Sequence, residues 1–142
     1  MPDGTVMAVP ADSQATKACA VCGRAMTYRR RWSRAWATVK YCSDRCRRQG
    51  LGPADARAEA AIRVLLAARA RGASICPGEA ARVLAAERGA AGDWRADLPG
   101  VRRAANRLVA AGALEMTQQG RVVDPARARG PVRLRWPASA GG

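Results

Sequence analysis

Four cysteines in two close pairs within the first fifty residues, a Gly-Leu-Gly-Pro break after them, and three helix-period stretches followed by a strand-period hairpin define the layout. They predict a small zinc-bound, treble-clef-like finger followed by an α+β winged helix-turn-helix domain. Residues 1–16 carry Pro, Asp, Ser and small side chains without periodicity and read as a disordered lead. The finger is expected over 17–49, a linker over 50–55, the winged-helix domain over 56–136 and a disordered tail over 137–142.

Composition narrows the function. The chain has 142 residues and a formal net charge of +14 from 25 basic and 11 acidic residues. The excess divides evenly, +7 for residues 1–50 and +7 for 51–142, which favours two modules meeting one polyanion. Because 23 of the 25 basic residues are Arg in a chain also rich in Ala and Gly, part of that charge is expected to be plain solvated surface. There is no His, so Ser-His and Cys-His nucleophile pairs and His-ligated metals are impossible, and no enzymatic activity or small-molecule substrate is expected. No apolar run approaches the roughly 18 residues that span a bilayer, and the N-terminus lacks a basic stretch followed by an apolar core. A cytoplasmic location without membrane association is the expectation.

Cys19-Ala20-Val21-Cys22-Gly23 has the spacing and trailing glycine of a zinc knuckle, in which two thiolates converge in a tight turn. After 19 intervening residues, Cys42 and Cys46 supply a second pair, so the four together offer soft ligands suited to tetrahedral, structural Zn²⁺. Val39-Lys40-Tyr41 reads as a strand entering Cys42. Ser43 then caps a short helix through Gln49, whose first turn brings Cys42 and Cys46 to one side near the positive end of the helix dipole. Paired disulfides or a thioredoxin-like redox pair are the alternative, disfavoured by two paired motifs in one module and by a reducing compartment. A closed four-thiolate site leaves no position for a catalytic water, and a Phe-free module this small needs metal binding for its folding free energy.

Between the ligand pairs, Tyr28-Arg29-Arg30-Arg31-Trp32-Ser33-Arg34-Ala35-Trp36 interleaves arginines with aromatics, a pattern that suits phosphate contacts and base stacking. Trp32 and Trp36 equally suit the core of a module with little else apolar. Arg29, Arg30 and Arg31 are the better contact candidates, joined by Arg45, Arg47 and Arg48 on the helix after the site. Cys-x2-Cys-Gly-Arg, then Tyr-Arg-Arg-Arg-Trp-x3-Trp-x2-Val-Lys-Tyr-Cys-Ser-x2-Cys-Arg, over residues 17–48, resembles a bacterial family of very short, uncharacterised four-cysteine zinc-finger proteins. That resemblance implies the same four ligands and brings no activity with it.

In the second module, Ala58, Ala61, Ile62, Leu65, Leu66 and Ala68 form one face of a helix over Asp55 to Arg71. Cys76-Pro77-Gly78-Glu79 opens a second helix through Glu87, with Ala80, Val83 and Leu84 expected inward. An irregular turn around Trp94, with Asp93 as its N-cap candidate, precedes a restart at Pro99. Val101, Ala104, Ala105, Leu108 and Val109 then make a buried stripe that Gly112 ends. Beyond Gly112 the period becomes two, with Gly120 turning a hairpin and Val132, Leu134 and Trp136 alternating with Arg133 and Arg135 as an edge strand with a charged outer face. Three helices and a hairpin are the order of a winged helix-turn-helix, whose third helix would enter the DNA major groove. Arg102, Arg103, Asn106 and Arg107 are the expected readout residues there, with Arg121 on phosphate at the wing tip. An ordinary solvated basic face on a winged helix used for protein contacts is the alternative.

Through Ile75-Cys76-Pro77, Asp93-Trp94-Arg95, Val101-Arg102-Arg103 and Gly130-Pro131-Val132-Arg133-Leu134, residues 56–136 resemble a bacterial winged-helix-like domain family of unknown function. Cys76, left without a partner, reads as a small buried or capping residue near a helix start, though a helix N-terminus can also activate a thiol. The expectation is a nucleic-acid-binding accessory or regulatory protein, with DNA preferred over RNA on account of the third helix. The rival is an adaptor that docks a protein partner.

Overall fold

The computed structural model describes residues 16–30 and 33–137. The lead over 1–15, Arg31, Trp32 and the tail over 138–142 lie outside the described residues, so the expectations placed on them do too.

The chain first forms a short antiparallel hairpin, β1 (Thr16–Ala18) against β2 (Ala25–Thr27), with Lys17 opposite Met26. The loop between them is a tight turn. The Gly23 N–H donates to the Cys19 carbonyl at 2.9 Å and the Cys19 N–H to the Arg24 carbonyl at 2.8 Å. A single 3₁₀ turn (Trp36–Thr38) follows, then an extended segment, then α1 (Asp44–Gln49). Ser43 caps α1 as expected, its Oγ accepting the Cys46 N–H at 3.2 Å, and Gly50 at φ +58° ends it. The strand expected over Val39-Lys40-Tyr41 is not formed. This segment runs beside the Cys19–Gly23 turn, which offers it the Ala20 N–H, bonded to the Lys40 carbonyl at 2.7 Å, in place of a ladder.

The second module is built from three helices and a four-stranded sheet. Its first helix, α2 (Pro53–Ala67), begins inside the expected linker, which shortens to 50–52. Pro53 is preorganised for the first helical position, and the Gly52 N–H donates to the Asp55 carboxylate at 2.8 Å, so the helix starts as early as the proline permits. Next come β3 (Ser74–Ile75) and α3 (Pro77–Glu87), with Cys76 at the N-cap and its N–H bonded to the Glu79 carboxylate at 2.9 Å. An irregular 3₁₀ stretch (Ala91–Asp97) leads directly into α4 (Leu98–Ala110). Three strands close the domain: β4 (Glu115–Gln118), β5 (Arg121–Val122) and β6 (Arg133–Arg135).

All pairings are antiparallel, in the order β3-β6-β4-β5. β6 is therefore an interior strand and not the expected edge. The two-residue β3 covers its other side, a strand too short to leave a periodic signal. The charged outer face is present, with Arg133 exposed and Arg135 half-buried, but both side chains have partners. Arg133 donates from Nε to the Ser74 Oγ at 2.6 Å and from Nη2 to the Ser74 carbonyl at 2.9 Å, and Arg135 pairs with Glu115 at 3.0 Å.

Ile62, Leu66, Ile75, Val101 and Leu134 are completely enclosed where the three helices meet the sheet. Alanines 58, 61, 80, 81, 104 and 105 are buried around them, and such small side chains let α2, α3 and α4 approach closely without a Phe in the chain. On α3 the inward face is Ala80, Ala81 and Ala85, with Val83 and Leu84 only half-buried at its flank, a rotation from the expected stripe. The stripe on α4 is buried from Val101 to Leu108 as expected, with Val109 half-buried at its end, and Thr117 on β4 is buried. No helix among the described residues is long and apolar enough to cross a membrane.

Candidate metal centre and basic surface

Cys19 and Cys22 stand at the two ends of the β1–β2 turn, Cys42 follows the extended segment, and Cys46 lies in the first turn of α1. Their four Sγ atoms all lie within 4.8 Å of one another. Cys22 and Cys42 are 3.5 Å apart at sulfur, and Cys42 and Cys46 3.7 Å. Four sulfurs at about 2.3 Å from a central Zn²⁺ would have tetrahedral edges of about 3.8 Å, so donor set and spacing both fit a closed thiolate site. Cys19 and Cys46 are buried, Cys22 and Cys42 half-buried, and none is in a disulfide.

Electrostatics point to the same need for a cation. Burial alone would push the Cys19 thiol up, but the N–H groups of Cys22, Cys42 and Val21 aim at its sulfur and bring its pKa down to about 6. Val21 donates to it at 3.4 Å. Burial pushes Cys22 the other way, to about 12, and the neighbouring sulfurs of Cys42 and Cys19 add to that rise. Cys46 is raised as well, first by burial. One thiolate can form here unaided, whereas four at this spacing require a positive ion at their centre.

The structure distributes the expected contact residues unevenly. Arg29, Arg30, Arg48 and Arg121 are exposed. Arg47 is exposed too, but pairs with Asp44 one helical turn away. Trp36 is core: it is 6% exposed, meets Tyr28 edge-on at 5.5 Å between centroids, and carries the Lys17 ammonium over its ring at 4.7 Å. It is closed to base stacking.

On α4, Arg102 is exposed, whereas Arg103 and Asn106 are half-buried and the Arg103 Nε is enclosed without a hydrogen-bond acceptor. Arg107 corrects the expectation outright. Its side chain is only 8% exposed, with Nε donating to Glu59 at 2.7 Å and Nη1 3.8 Å from the Asp55 carboxylate. Nη1 also donates to the carbonyl of Val21, inside the Cys19–Cys22 turn, and Nη2 reaches the Asp55 carbonyl at 3.4 Å. A guanidinium committed to two carboxylates and two carbonyls is not available to DNA. Instead it ties α2 and α4 to the metal-binding turn.

Gly23 completes that junction. It holds φ +74°, and a Cβ placed there would lie 2.6 Å from the backbone carbon and Cβ of Asn106. Finger and helix therefore touch backbone to backbone, and only glycine satisfies both conformation and space. Sequence reasoning missed this contact because Asp55 and Glu59 are 52 and 48 residues from Arg107. The available signal was modest: Arg107 flanks the buried stripe between Ala104 and Leu108, and Asp55 and Glu59 share a face of α2. Cys76 stays outside the metal cluster, half-buried at the N-cap of α3.

Fold and site define a two-part protein, a four-cysteine, zinc-finger-like module ahead of a helix-plus-sheet domain. Residues 55–137 match the family described as a protein of unknown function, DUF3253, and the chain belongs to that family. Residues 12–49 match a second family, described as an uncharacterized protein conserved in bacteria, DUF2256. No curated protein matches the chain.

Proposed function

We propose that this is a non-enzymatic nucleic-acid-binding protein in which a structural Zn²⁺ finger of treble-clef type and a winged-helix domain jointly hold phosphate. The observation that carries the reading is the distribution of unneutralised arginine. Arg24, Arg30, Arg48, Arg102 and Arg121 come from both modules, are exposed, and have no carboxylate partner among the described residues. Such groups release counterions when they meet a polyanion. The order α2, β3, α3, α4 and hairpin supports the winged-helix reading, and the free thiols fit a reducing compartment such as the cytoplasm. With Arg107 withdrawn and Asn106 under the finger, the support is for backbone contact more than base readout, and DNA and RNA are both substrates to try.

The test is titration of labelled DNA and RNA at several salt concentrations. Neutralising about five phosphates gives a log-log slope near −4.5, and Arg30→Glu, Arg48→Glu and Arg121→Glu together flatten it by about 2.7. Binding that ignores ionic strength would remove the reading. Nuclease-resistant recovery of one stoichiometric protein partner, without nucleic acid, would favour the adaptor role.

A further inference from the structure

Beside the Gly23–Asn106 contact, finger and domain separate to leave a cleft of about 700 Å³. The β1–β2 hairpin forms one wall, α4 the other, and the segment Asp124–Ala126 lies at the edge. Each wall contributes an exposed guanidinium with no partner among the described residues, Arg24 from the finger and Arg102 from α4. Arg103 also lines the cleft and brings the enclosed Nε that lacks an acceptor. Asn106, half-buried on the helical wall, offers an amide able both to donate and to accept. Lys17 lines it as well, but its ammonium is already spent on the carbonyls of Trp36 at 2.6 Å and Val39 at 3.1 Å.

Charge in the cleft is one-sided. Its lining has four cationic side chains against one carboxylate, Asp124, which is itself bonded to the Ala126 N–H at 3.0 Å. Cys22 also lines it, and four thiolates around one divalent ion retain about two formal negative charges, which still leaves the lining net positive. An anionic ligand is therefore favoured, and the two free guanidiniums stand on opposite walls, as needed to follow a chain of phosphates.

We propose that the cleft between the β1–β2 hairpin and α4 binds an unpaired nucleic-acid strand, its phosphates on Arg24 and Arg102 and a base edge at Asn106. This rests on the nucleic-acid reading above and changes its expected substrate. A duplex is read by a convex helix entering a major groove about 12 Å wide. Here α4 is the wall of a concavity, and Gly23 sits on the very residue, Asn106, that would have to enter the groove. A single strand is slender enough to lie along a charged groove with its bases turned inward. Because one wall belongs to the finger and the other to the domain, the site exists only while Arg107 and Gly23 hold the two together.

The experiment uses the zinc-loaded full chain and a fluorescent 15-nucleotide DNA of mixed sequence, single-stranded and as its duplex, followed by anisotropy. The single strand is expected to bind more tightly than the duplex. Arg24→Glu/Arg102→Glu is expected to weaken single-strand binding by roughly 30-fold or more. Arg57→Glu/Arg63→Glu, the same charge change on the outer face of α2, is expected to cost less than about threefold. Arg24→Gln/Arg102→Gln, checked for zinc content and circular dichroism, should give an intermediate loss with the fold intact. Equal losses from the two Glu pairs, or preference for the duplex, would overturn the cleft while leaving general nucleic-acid binding standing. Failure of the parent protein to bind either form would overturn both.

Discussion

Arg107, on α4, contacts both α2 and the Cys19–Cys22 turn. A guanidinium 8% exposed is tolerated because Glu59 and Asp55 face it from α2 and the Val21 carbonyl accepts from it across the junction. Replacing it leaves two carboxylates partly enclosed without a cation. Arg107→Met is expected to destabilise the protein by about 3 kcal/mol, read as a lower urea midpoint. Adding Glu59→Gln to that variant should recover part of the loss, since it removes one of the stranded charges. Equal stability of Arg107→Met and the parent would contradict the role.

Glu79 is a second residue whose charge matters locally. Burial would raise its pKa, but Arg69, the Cys76 N–H and Arg133 outweigh that and hold it below the ordinary 4.5. A carboxyl whose folded pKa is depressed adds stability above its unfolded value, and that contribution fades as pH falls through the folded one. The parent is therefore expected to exceed Glu79→Gln in urea midpoint at pH 7, by a margin that shrinks as the pH is lowered below 4.5. A margin that does not shrink on acidification would show that the charge is not its source.

Among the elements, the β4–β5 hairpin shows how local chemistry and local strain meet. Both turn residues have positive φ, Gln119 at 52° and Gly120 at 82°. This is the pattern of a primed two-residue turn, for which Gly120 is suited and Gln119 is not. Gln119→Gly is expected to stabilise the domain by roughly 0.5–1 kcal/mol, seen as a rise in melting temperature. A fall would mean that the Gln119 side chain contributes more than its backbone conformation costs.

That hairpin and the four helices were legible because each carries its own punctuation. Ser43, the Cys76–Glu79 box, Gly112 and Gly120 all signal within a few residues of where they act, whereas Pro53, which reads as part of the break, opens α2. The elements that escaped were those defined by a distant partner. β3 is two residues long and exists because β6 lies beside it, and its presence turned β6 from an edge into an interior strand. Val39-Lys40-Tyr41 has the residue types of a strand, but its neighbour is a turn. Propensity cannot see which surface a segment will meet.

At the scale of the whole molecule, the four cysteines were readable because ligand spacing is a short-range code. The coupling of their turn to α4 was not. Contacts from Arg107 to Asp55, Glu59 and Val21 span 52, 48 and 86 residues, and charge patterning alone placed Arg107 on a solvent-facing helix beside Arg102 and Arg103. The consequence reaches function: the finger covers part of the helix that sequence order marks for a DNA groove. Basic surface is thereby shared between the modules instead of concentrated on one helix.

Metal content with hydrogen–deuterium exchange before and after chelation is the most direct test of the central claim, that four sulfurs close on one divalent ion and hold the finger against α4. One zinc per chain is expected in the reduced protein. Stripping it should deprotect the amides of 17–49 together with the Asn106–Arg107 segment of α4, while the buried core around Ile62 and Leu134 stays protected. A purified, reduced protein without stoichiometric metal, or one whose finger amides exchange no faster once chelated, would contradict the account.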